Sequence, residues 1–186
     1  MQRPDNPLSP RGIAQAERLA RRLVDEGITA ILSSDLVRAA QTAEHLGRVT
    51  GLPVHHDPLL QERNFGDLRG TPYAELGFDM FAPGYAPPSG ETWEVFHARV
   101  DRAWALVRAR LAGAGGHLAV VTHGLVCRSL AARHLELADG QEAPERWENT
   151  ALTVVEARAP WRVRLLNCVA HLDDPDTQPP SESGAV

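Results

Sequence analysis

Residues 29–51, TAILSSDLVRAAQTAEHLGRVTG, decide the fold. Thr29–Leu32 is an uninterrupted apolar run of strand length, as expected for a strand covered on both faces. Ser33 and Ser34 close it, a helix follows from about Asp35 to Thr50, and Gly51 stops that helix. A buried strand running straight into a helix is the unit of an α/β fold. The unit recurs at HLAVVT, 117–122, where Gly124 opens a helix expected to reach about Leu137. Upstream, Ser9-Pro10 starts a helix, Ile13, Ala16, Ala20, Leu23 and Val24 form its apolar face, and Gly27 ends it. Downstream, Pro53–His55 reads as a short strand. Glu91–Leu111 reads as a long helix with Trp93, Phe96, Val100, Trp104 and Val107 along one side. Ala151–Glu156 and Trp161–Cys168 read as an antiparallel strand pair. Residues 62–90, rich in Gly, Pro and aromatics, form an excursion with one short helix near Tyr73–Leu76. The expected class is α/β with a largely parallel sheet, in one domain over 1–172. Residues 173–186 carry four acids and no base and are expected to be a disordered tail.

Composition removes several function classes. The chain has 186 residues and a net charge of -5, which argues against nucleic acid or an anionic membrane as main partner. All 19 basic residues are Arg. Without lysine there is no Schiff base, no pyridoxal-phosphate anchor and no Walker A lysine. Cys127 and Cys168 are the two cysteines, and neither lies in a CxxC pair, which argues against a cysteine-rich zinc or iron–sulfur site. Two scattered thiols fit a reducing compartment. The polar, proline-rich start MQRPDNPLSPRG is no signal peptide, and no apolar run approaches the ~18 residues of a membrane span. A cytoplasmic protein without metal or cofactor is expected.

In parallel sheets, ligands sit beyond the carboxyl ends of strands, at helix N-termini. SSDLVR, 33–38, puts Arg38 in the first turn of such a helix. VVTHG, 120–124, puts His123 at a strand tip, with the backbone N–H groups of Gly124 and Leu125 opening the next helix. A guanidinium, an imidazole and a helix N-terminus on one rim suit a phosphate. QERNFGDLRG, 61–70, adds Glu62, a carboxyl near an apolar wall and so a candidate general acid with a raised pKa. Taken singly, each also reads as an ordinary residue: a surface arginine, a hydrogen-bonded histidine, a solvated loop glutamate.

Taken together with PLSPRGIAQAERLARRL, SGETWEVFHARV and ENTALTVVE, in this order and spacing, these segments resemble the histidine phosphatase superfamily, also called phosphoglycerate mutase-like, from Pro7 to about Leu172. The resemblance implies a three-layer α/β/α sandwich and a small phosphorylated metabolite as partner. It implies that Arg38 clamps the phosphate, Glu62 donates the proton, His123 stabilises charge, and Gly124 and Leu125 face the phosphate. Asn149 matches a polar position that borders the site. Phe65, Tyr73, Phe81 and Tyr85 are candidates to line the substrate's organic part.

Family members also carry an Arg-His-Gly at the end of their first strand, whose His attacks phosphorus. No Arg-His-Gly occurs here; the one Arg-His pair is Arg133-His134, followed by Leu135. The expectation is therefore a chain whose first central strand is absent, through a miscalled start, a truncation or a true loss. His55, His56 and His97 are poor substitutes, since none is placed at the carboxyl end of a strand. The resemblance puts that strand beside the one ending in His123, so either a gap or two strands forced together should result. An open edge would favour a homodimer or looser association. The expected function is a phosphomonoester phosphatase with impaired turnover. The alternatives are a non-catalytic protein that binds a phosphorylated ligand and a phosphoglycerate mutase.

Overall fold

The structure is a computed structural model that describes residues 2–173; the expected tail, apart from Asp173, lies outside the described residues. Helix α1 (Pro10–Leu23) is capped by Ser9, whose side chain accepts from the Gly12 N–H. Strand β1 (Ile28–Ser33) leads into helix α2 (Val37–Thr50), which ends on Gly51 at φ 71°. Strand β2 (Val54–His56) follows, then the excursion, with short 3-10 turns at Gly66–Leu68 and Tyr73–Glu75. Thr92 caps helix α3 (Trp93–Ala112). Strand β3 (His117–Val121) feeds helix α4 (Gly124–Arg133), and strands β4 (Leu152–Val155) and β5 (Val163–Cys168) complete the order.

Strands β2, β1 and β3 form a parallel sheet in that order, and β4 pairs with β5 antiparallel in a second sheet. Alternation along the strands divides the core into two layers. Ile31, Ala119 and Val121 point to the face covered by α1 and α2, where they meet Leu23, Ala43 and Leu46. Leu32, Leu118 and Val120 point to the opposite face, against Ala103 and Val107 of α3. Phe96 and Val100 of α3 pack on Val126 of α4. This is the expected α/β/α sandwich.

Two details differ from the sequence reading. Helix α4 stops at Arg133 rather than near Leu137. The backbone of Glu136 pairs with the Arg162 segment instead, accepting from the Val163 N–H and donating to the Trp161 carbonyl. Ile13 and Val24 are exposed, and the buried face of α1 is Ala16, Ala20 and Leu23. One feature shapes the molecule: β3 and β4 are not paired, and a cavity of about 1290 Å³ runs between them. Of the two arrangements the resemblance left open, the structure has the gap. Residues Leu118–Val121 are half-buried, whereas Ile31–Ser33 of β1 are buried, because β1 has a strand on both edges and β3 on one. The His117 N–H donates to Gly27 and the Val121 carbonyl accepts from Ser34, so the alternate backbone groups of Leu118 and Val120 face the gap.

Candidate active site

The cavity opens at the carboxyl ends of β1 and β3. Arg38, Glu62, His123, Gly124, Leu125 and Asn149 all line it; the Glu62 carboxyl reaches the Leu125 N–H, and Arg38 is close enough to act on both Glu62 and His123. Arg38 is the second residue of α2, held at the rim because β1 runs into that helix through a three-residue link. Its Nη1 donates to the Arg3 carbonyl at 3.3 Å. Burial pulls its pKa down, opposed by the Glu62 charge and assisted by Arg69.

His123 is the N-cap residue of α4 and is buried. Its Nε2 lies 2.9 Å from the Ser34 hydroxyl at the end of β1. Ser34 Oγ also accepts from the Leu36 N–H, which fixes its position. Burial first, then Arg38 and Arg99, push the His123 pKa down to about 3, so the imidazole is neutral at physiological pH.

Glu62 is close to Arg38 and to the start of α4. Its Oε1 accepts from the Arg63 N–H at 3.0 Å and its Oε2 from the Leu125 N–H at 3.3 Å. Those two bonds and the charges of Arg38 and Arg99 favour the carboxylate, but desolvation outweighs them and raises the pKa. The Leu125 N–H, expected to be open for phosphate, is occupied by this carboxyl: the positive end of α4 attracts the nearest anion. Asn149 is exposed on the loop before β4. A Cβ added at Gly124 would lie 3.7 Å from Trp147 Cβ, an ordinary contact, so space alone does not demand glycine there.

The sequence reading missed the scaffold that holds Glu62. Arg99 forms a two-pronged ion pair with Glu91, both contacts at 2.7 Å, and donates to the carbonyls of Leu59, Gln61 and Glu62. Arg63 is 2% exposed. It donates to the Tyr85 and Glu91 carbonyls and stacks over Trp93 at 3.8 Å. Arg63 stands between the polar residues Glu62 and Asn64, so no local pattern marks it as buried. Ser34 was read as a strand terminator, and nothing local marks it as a histidine partner.

Among the aromatic candidates, Phe65 and Phe81 line the cavity and meet edge to face at 6.1 Å. Tyr85 instead packs on Phe78, and the Tyr73 side chain falls outside the described residues. Neither His55, His56 nor His97 lines the cavity; His97 bonds Ser129 at 2.8 Å. Arg133 and His134 are tied to Asp101.

A guanidinium, a neutral imidazole and a carboxyl with a raised pKa at the carboxyl edge of a parallel sheet are groups that suit a phosphate. The comparisons with known proteins agree. The family model of the histidine phosphatase superfamily, branch 1, matches residues 1–169, and this chain belongs to that family. The probable phosphoglycerate mutase GpmB of Yersinia pestis is 31% identical over 190 residues, covering 92% of this chain and 86% of the relative. The mycobacterial glucosyl-3-phosphoglycerate phosphatase Rv2419c, solved with inorganic phosphate, superposes with a TM-score of 0.72 at 30% identity over 92% of each chain. The α-ribazole phosphatase of Shigella flexneri does so with a TM-score of 0.73 at 27% identity, over 89% of this chain and 86% of its own. Among the described residues, no helix is long and apolar enough to cross a membrane.

Proposed function

We propose that this protein binds small phosphomonoesters in the Arg38–Glu62–His123 cradle and is built for their hydrolysis, with turnover impaired in the chain as it stands. The observation that carries the reading is geometric: Arg38, the Glu62 carboxyl, whose pKa burial raises, and the buried His123 all line one cavity beyond the carboxyl ends of β1 and β3. Arg38 and His123 would grip the non-bridging oxygens, and Glu62 would give its proton to the departing alkoxide oxygen as the P–O bond breaks. In-line attack needs a nucleophile, and the family uses a second imidazole. Besides His123, the histidine that lines the cavity is His117, at the opposite end of β3. Positioning and electrostatics therefore remain while the covalent route is weakened.

The two structural neighbours named above are phosphatases, which supports hydrolysis over transfer. The name of the curated relative supports the mutase alternative. Two free cysteines fit a cytoplasmic setting.

The test combines phosphate binding by calorimetry with p-nitrophenyl phosphate hydrolysis. Binding that Arg38→Ala abolishes, together with turnover far below that of an intact family phosphatase, is the expected result. Full turnover would overturn the impairment. Absence of phosphate binding would overturn the whole reading.

A further inference from the structure

We propose that the slot between β3 and β4 receives an extended apolar peptide as an added strand, with a phosphorylated side chain at its end seated in the Arg38–His123 cradle. The proposal rests on the phosphate reading of that cradle and extends it to the rest of the ligand, a phosphorylated polypeptide segment. Its basis is the chemistry of the cavity walls. One wall is the open edge of β3, where the backbone groups of Leu118 and Val120 face the gap. The opposite wall is β4, whose residues Leu152–Val155 line the cavity and whose paired edge is taken by β5. Leu19 and Leu23 of α1 line one face, and Trp104 and Val107 of α3 line the other. A strand entering here meets hydrogen-bonding edges on both sides and apolar cover above and below, the surroundings of a buried central strand. Trp147 lines the same cavity, and its Nε1 is a buried donor without an acceptor.

The backbone groups select the occupant. An alkyl chain or an aromatic ring would cover the apolar faces but leave the N–H and C=O groups of Leu118 and Val120 unpaired, which is costly among apolar side chains. An extended peptide offers a donor and an acceptor at every second residue, at the spacing of the edge it meets. The volume agrees: about 1290 Å³ exceeds the roughly 300–1,000 Å³ of a typical small-ligand pocket. The five residues of β3 span roughly 17 Å, so a run of about five residues fills the slot. Its side chains point alternately to two apolar faces, which calls for residues such as Val and Ile. Charge sets what stands at the end. The slot opens at the carboxyl end of β3 onto Arg38, His123 and the start of α4, where a guanidinium and the positive end of a helix draw an anion.

The probes are two synthetic peptides with a five-residue run of valine, isoleucine and threonine, one with phosphoserine directly after the run and one directly before it, which covers both strand directions. Calorimetry on the full chain compares them with the unphosphorylated peptides, phosphopeptides with proline in mid-run, O-phosphoserine, pentyl phosphate and inorganic phosphate. One phosphopeptide should bind about tenfold or more tighter than O-phosphoserine. Mid-run proline removes a ladder donor and should abolish that gain. Omitting the phosphate, or Arg38→Ala, should weaken binding about tenfold or more. Hydrogen exchange at the Leu118 and Val120 amides should slow on binding. If O-phosphoserine, pentyl phosphate or the proline peptides bind as tightly as the better phosphopeptide, the slot is overturned and the phosphate cradle stands. If phosphate and Arg38→Ala make no difference to peptide binding, the link between slot and cradle is overturned, and the proposal with it. If neither the phosphopeptides nor inorganic phosphate bind, the cradle itself fails.

Discussion

Replacing His123 by Gln should flatten the acid side of the stability curve. In the folded protein the imidazole is buried at the end of β3 and titrates near 3, while in the unfolded chain it titrates near its ordinary 6.5. Between those values the unfolded state binds a proton that the folded state refuses. Stability from this group is therefore complete above 6.5 and is lost as the pH falls, at about 1.4 kcal/mol per pH unit. From pH 6.5 to 5, above the main carboxylate range, the loss attributable to His123 is about 2 kcal/mol. His45, His97 and His171 also have lowered pKa values, so the wild-type slope alone does not isolate His123. The difference between the two proteins does. Gln can still reach Ser34 but does not titrate, so its curve should be shallower by that amount. Urea unfolding at pH 5.0, 5.5, 6.0 and 6.5 measures it. Identical slopes for wild type and variant would show that His123 is not a buried neutral imidazole, and the charge account of the site would fall.

Other consequences follow from the same geometry. Arg63→Met leaves the Tyr85 and Glu91 carbonyls without their donor, so about 2–4 kcal/mol of stability should disappear; chemical unfolding at pH 7 checks this, and a loss under 1 kcal/mol would contradict it. Glu62→Gln removes a carboxyl whose raised pKa makes ionisation unfavourable as pH rises above 4.5. The variant should therefore melt higher than wild type at pH 7.5 and hydrolyse alkyl phosphates less well, with aryl phosphates affected less; a lower melting temperature, or a uniform loss across both ester types, counts against the proton-donor role. The unpaired edges of β3 and β4 should drive self-association. Light scattering across a hundredfold concentration range should show mass rising with concentration, and a constant monomer mass would refute it.

The sequence by itself determined the alternation of elements and the rim on which chemistry could sit. Ile31 and Leu32 are apolar on both faces, as a central strand requires, and the Ser9 and Gly51 caps fix helix ends through local backbone geometry. Such signals are short-range and legible in one dimension. Arg38 and His123 could be placed for the same reason, each standing where a strand becomes a helix. The helix beyond Gly124 was read too long because its end is set by the pairing of Glu136 with the Arg162 segment, a long-range event. Ser34 beside His123, Arg99 beneath the Glu62 loop, and the gap between β3 and β4 were decided only by the tertiary structure. Burial and charge balance, which raise Glu62 and lower His123, arise from groups tens of residues apart, and no local pattern encodes them.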